Sequence, residues 1–175
     1  MTKSFYELDG IIEMNEKRLA EYTVLYQKVF DRLTNIILVY SALGIFLIPV
    51  TQHVMNTDVR GVLFYVSFIC FLLLLIISLV YFVRLLLPMD IAYLDPPKKY
   101  YTEYRIELEM LDVGNEDIVN ESLKSTYIQE LEDAIEINNR AFLKKNSLFY
   151  NALIFALLAV VPYIVCVGWH ISKGK

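Results

Sequence analysis

The chain has few of the residues that carry chemistry. Two cysteines and two histidines among 175 residues leave no disulfide framework and no zinc-ligand spacing. Cys70 and Cys166 both fall inside apolar blocks, where a cysteine is expected to act as a small buried hydrophobe. No Gly-rich phosphate loop and no Ser/His pair is present, so phosphoryl transfer and serine-type hydrolysis lose their usual signatures. His53 and His170, with Asp58 as a third donor, are scattered in sequence and make a thin metal site. No enzyme activity, cofactor or metal is therefore expected. A cleavable signal peptide is not expected either, because the first apolar block begins at Leu33 after a charged, helix-like segment.

Hydrophobic residues, by contrast, make up 57% of the chain. They concentrate in three blocks, Leu33–Thr51, Val62–Leu87 and Leu148–Ile171. Each block has the length needed to cross a bilayer, whose hydrocarbon core takes roughly 20 helical residues. The spacing predicts an all-α membrane protein with three transmembrane helices. A cytoplasmic helical bundle is expected to form largely from extensions of the first and third spans. Along the chain this gives a cytoplasmic amphipathic helix over 1–32, a hairpin over 33–87 (spans 33–51 and 62–87), a cytoplasmic helical region over 88–147, a third span over 148–171 and a tail over 172–175.

Charge sets the expected orientation. Lys17, Arg18, Lys28 and Arg32 precede the first block, and Lys98, Lys99, Arg140, Lys144 and Lys145 lie between the second and third. The connection Gln52–Arg60 holds only Arg60, while Arg84 sits near the end of the second block, within snorkelling reach of the interface. The positive-inside rule then places the N-terminus in the cytoplasm and the C-terminus outside. Lys173 and Lys175 oppose this only weakly. Residues 88–146 carry seven Lys/Arg against thirteen Asp/Glu, an acidic balance that repels a nucleic-acid polymer.

Local patterns extend the reading. Ser4-Phe5-Tyr6-Glu7 has the form of a capping box, which starts a helix at residue 5. Leu19, Tyr22, Tyr26, Val29, Leu33 and Ile36 alternate spacings of three and four, a heptad seam running without a breaker into the first span. Ile128, Leu131, Ile135, Asn138 and Phe142 do the same toward Leu148, and no Gly or Pro falls between Asn115 and Val161. One helix of about fifty residues is expected there. Asp95-Pro96-Pro97 starts another, over Lys98–Asp112, ending at Val113-Gly114-Asn115. Pro49 and Pro162 predict kinks. Asn15 and Asn138 are polar residues in the seams, and a buried Asn such as Asn138 is a candidate for fixing oligomer register.

The apolar blocks lack ionisable groups at mid-depth, which argues against a proton or substrate pump. They do contain Asn35, Ser41, Ser67, Ser78 and Asn151. These are candidates to line a pore, and equally to bond helix to helix. Three helices cannot enclose a channel alone, so conduction demands a homo-oligomer.

A basic amphipathic helix leading into a two-span hairpin, with Ala134-Ile135-Glu136-Ile137-Asn138-Asn139-Arg140 leading back to the membrane, resembles the small helical membrane effectors of bacterial anti-phage systems. The similar groups are the SLATT-type effectors paired with nucleotidyltransferases and the membrane effector of Hailong-type systems. SLATT-type proteins are usually described with two spans, so the third departs from that pattern. The resemblance implies a homo-oligomer, a tetramer in such families, in the bacterial inner membrane. It also implies an ion-conducting pore in anti-phage defence, gated through its cytoplasmic helices. A nucleotide second messenger from a partner nucleotidyltransferase would control it, with Lys98, Lys99, Arg140, Lys144 and Lys145 as candidate ligand-binding residues. The alternative is a non-conducting membrane anchor that recruits a cytosolic partner through the heptad seams.

Overall fold

The computed structural model describes residues 7–56, 61–110 and 115–173, without the side chains of residues 46, 49, 50, 53–56, 170, 171 and 173. Among the described residues six α-helices follow one another: α1 (Leu8–Asp31), α2 (Leu33–Asn56), α3 (Val62–Leu86), α4 (Pro97–Lys99), α5 (Arg105–Met110) and α6 (Glu116–Lys173). A π-helical turn, Tyr100–Tyr104, joins α4 to α5. No strand occurs among the described residues.

Helix boundaries refine several expectations. Glu7 caps α1, its carbonyl accepting from the Gly10 and Ile11 amides, so the helix starts later than residue 5. The expected Ser4 cap lies outside the described residues. The seam expected to run unbroken into the first apolar block is interrupted at Arg32, a single turn residue between α1 and α2. There the Asn35 amide bonds the Arg32 carbonyl three residues back, tightening the chain locally. Gln52–Asn56, expected in a loop, continue α2. Asp58, Arg60, Val113 and Gly114 lie outside the described residues, as do the side chains of Pro49, His53 and His170.

The long helix is longer than its sequence suggests. Helix α6 runs for 58 residues and passes through Pro162, about 87 Å at 1.5 Å per residue. Proline removes one ladder bond at that point without ending the helix. The Pro96-Pro97 start is observed as expected, with Pro97 at the first helical position, where its missing N–H costs nothing.

The chain divides into two compact units. The first combines Met1–Gln27 with Met89–Leu143, and the second combines Lys28–Pro88 with Lys144–Lys175. In the second unit, α3 and α6 run antiparallel with buried stripes that repeat every seven residues. On α3 these are Phe64, Phe71, Ser78 and Leu85; on α6 the series Lys145, Ala152, Ala159 and Cys166 is joined by Phe149 and Ala156, four residues further on from Lys145 and Ala152. Val29, Ile36 and Leu43 repeat the same interval along the end of α1 and α2. A strict seven-residue period keeps one stripe of each helix on the shared axis and implies a left-handed supercoil. Large residues on α3 meet small ones on α6: Leu43, Phe71 and Ala159 form one core layer, and Phe64 and Cys166 another. At the start of α3, Gly61 lies under the indole of Trp169. A Cβ there would stand 2.5 Å from the ring, so a larger residue would require the Trp169 side chain to shift.

The outer faces of this unit are apolar. Only 11% of the most apolar stretch of α3 is buried, and 22% of that of α6. Leu63, Val66, Ile69, Leu73, Ile76 and Val80 are all exposed. The core helix of a water-soluble protein would hide such residues. Helices α3 and α6 are long and apolar enough to cross a membrane, which supports association with one. Cys70 is exposed and Cys166 buried, both as free thiols; only Cys166 behaves as the buried hydrophobe expected of both.

Candidate functional site

The polar residues of the second unit have distinct fates. Ser78 is fully buried on α3. Its hydroxyl donates to the Ala152 carbonyl of α6 at 2.6 Å. A serine has a single O–H, so in the 2.6 Å contact with Tyr40 the tyrosine is the donor. Tyr40, Ser78 and Ala152 thus form a directed chain joining α2, α3 and α6. Among the expected pore-lining residues, Ser78 is therefore an interhelical link. Ser67 and Asn151 are half-buried, and Asn35 and Ser41 are exposed on α2.

Lys145 is the most unusual side chain in this unit. It is fully buried and donates to the Leu85 and Leu87 carbonyls at the end of α3. A helix C-terminus carries unsatisfied carbonyls and partial negative charge, and a cation there satisfies both. The Phe30 ring lies 5.5 Å below the ammonium, within cation–π range. Burial pushes the Lys145 pKa below the usual lysine range, and the charge of Lys144 adds to the effect.

Of the other basic candidates, Lys98, Lys99 and Arg140 lie in the first unit and Lys144 in the second. Lys99 is bound to Asp95 at 2.6 Å, and Arg140 pairs with Glu136 one turn back. Lys98 and Lys144 are exposed. The Lys99 hydrogen bond, with that of Tyr104, holds the Asp95 carboxyl below the usual range. Asn138 is buried and spends its amide inside the chain. Its Oδ1 accepts from the Ala92 amide at 2.9 Å, and its Nδ2 donates to the Ala92 carbonyl at 3.2 Å. That pairing pins the extended segment after α3 to α6. Asn15 keeps a buried Nδ2 without a partner among the described residues, a cost of the seam position.

Sequence reasoning missed a cavity of about 540 Å³ in the first unit. It lies between Leu94–Tyr101 and the α6 residues Leu123, Lys124 and Tyr127. The Pro96-Pro97 pair and the π-helical turn shape its rim. Such turns splay one extra residue from the helix and are frequent at functional sites. Tyr100 is buried, and its ring meets Tyr127 at 5.2 Å and 87°. Its hydroxyl donates to Glu130, as that of Tyr127 does to Glu16 at 2.8 Å. Burial comes first and the carboxylate partner second in raising both phenols, Tyr127 to about 12. The available signal was the Asp95-Pro96-Pro97 break followed by Tyr100 and Tyr101, a break that sequence spacing assigned to helix initiation alone.

No known protein family, characterised protein or solved structure matches this chain. Its function has to be read from its own geometry.

Proposed function

We propose that this chain is an integral membrane protein with three spans, over 33–51, 62–87 and 148–171, that assembles with copies of itself into an ion-conducting pore. The N-terminal segment and residues 88–147 are cytoplasmic in this reading, and the C-terminus lies outside. The observation that carries it is α6: one unbroken helix supplies buried residues to the charged unit (Leu131, Asn138) and to the apolar unit (Ala152, Ala159, Cys166). A displacement of its charged half is passed to its apolar half without a flexible linker, which suits gating through the soluble helices.

Exposed Asn35 and Ser41 support assembly, since polar groups facing lipid are costly and find partners in a neighbouring helix or a wet lumen. The resemblance to anti-phage effectors supports a defensive role in a bacterial inner membrane. Nucleotide control has weaker support, because Lys99, Arg140 and Lys145 are already engaged within the chain. A second reading, a non-conducting anchor for a protein partner, is favoured by Tyr93 and Met110, large apolar side chains that stand 86% and 79% exposed on the first unit.

Potassium-loaded liposomes containing the purified chain distinguish the two. The pore reading expects ion efflux, an oligomeric particle by native mass spectrometry, and altered conductance in Asn35→Leu and Ser41→Leu. Oligomers in tight vesicles favour the anchor, and a strictly monomeric, non-leaking chain overturns the pore.

A further inference from the structure

We infer that the cavity between Leu94–Tyr101 and Leu123–Tyr127 binds an organic ammonium ion that carries an apolar body. Its volume of about 540 Å³ lies within the range of small-molecule sites, roughly 300–1,000 Å³. Tyrosines 100, 101 and 127 line it together with two prolines and two leucines. Aromatic faces attract cations through their quadrupole, and clustered aromatics are the usual receptor for alkylated ammonium groups.

Three local features select a cation over an anion. First, Tyr100 and Tyr127 each donate a hydrogen bond to a carboxylate, Glu130 and Glu16. That contact shifts electron density into the ring and strengthens its negative face. Second, Asp95 lines the cavity, and its bonds from Lys99 and Tyr104 both end on Oδ2. Its Oδ1 accepts no hydrogen bond among the described residues, leaving a carboxylate oxygen for a guest. Third, just outside the lining, a neighbouring tyrosine already accepts an ammonium, with Lys99 Nζ 5.2 Å from the Tyr104 ring centroid. Among the described residues of the lining the one cation, Lys124, is bound to Asp9 at 2.7 Å, which offsets its repulsion. The apolar lining accounts for the guest's body, and the aromatic and carboxylate groups for its charge.

Calorimetric titration of the full chain in lipid nanodiscs tests this directly, with the heat of empty discs subtracted. Benzyltrimethylammonium is the probe, compared with neutral benzyl alcohol and anionic benzenesulfonate. Saturable binding of the ammonium is expected, at least ten-fold tighter than either comparison probe. Asp95→Asn and Tyr101→Leu should each weaken it by five-fold or more. Tyr101 is 66% exposed, so its replacement leaves folding intact and keeps the test decisive if Asp95→Asn misfolds. No heat above empty discs, equal or tighter binding of the sulfonate or the alcohol, or undiminished binding by Tyr101→Leu would each overturn the inference. The readout needs no ion flux, so it stands or falls separately from the pore.

Discussion

Single side chains carry unusual weight in the apolar unit because each polar group there has few alternatives. Ser78 accepts a hydrogen bond from Tyr40 and donates one to the Ala152 carbonyl. Ser78→Ala removes both bonds while preserving the small shape. Interhelical hydrogen bonds of this kind contribute about 1 kcal/mol within membranes. A loss of that size is expected in a denaturation series in mixed micelles. Tyr40→Phe added to Ser78→Ala should cost little more, because the two bonds form one chain and their effects are coupled. Full additivity would show that the Tyr40 contact contributes independently. The sequence marked Ser78 and Asn138 as polar residues out of place. It did not reveal their partners, which lie 74 and 46 residues away. Separation of that order leaves no trace in spacing.

At the scale of helices, periodicity was informative and boundaries were not. The absence of Gly and Pro before Val161 predicted a long helix, and α6 extends through Pro162 to Lys173 because its flanking turns keep their ladder bonds. The break at Arg32 had no such signal, since neither Gly nor Pro stands there. The continuity of α6 also makes a prediction. Leu143 is an exposed helical residue, so Leu143→Pro removes little packing but breaks the ladder and kinks the helix. Insertion into the membrane should persist, and any ligand- or partner-induced change in conductance should fall at least several-fold. Unaltered gating would mean that α6 does not transmit the signal.

For the whole molecule, the proposed orientation rests on the distribution of Lys and Arg and is open to direct test. Cysteines introduced singly at Glu7 and Ser172, in a Cys70→Ala, Cys166→Ala background, should react oppositely with a membrane-impermeant maleimide added to intact cells. Ser172→Cys is expected to label from outside, and Glu7→Cys only after permeabilisation. Labelling of both from outside would require an even number of crossings and would overturn the proposed three-span arrangement.

Composition and periodicity by themselves determined that the chain is helical, rich in bilayer-length apolar stretches, and built on seven-residue repeats. These properties depend on backbone geometry and on neighbours three, four and seven residues apart. Tertiary structure decided how the repeats pair. It set Phe64, Phe71, Ser78 and Leu85 against Cys166, Ala159, Ala152 and Lys145, turned Lys145 into a cap for α3, and set Leu94–Tyr101 beside α6 to form an open cavity. The physical reason is the same throughout: a period says which face of a helix is buried, but only packing brings together groups far apart along the chain.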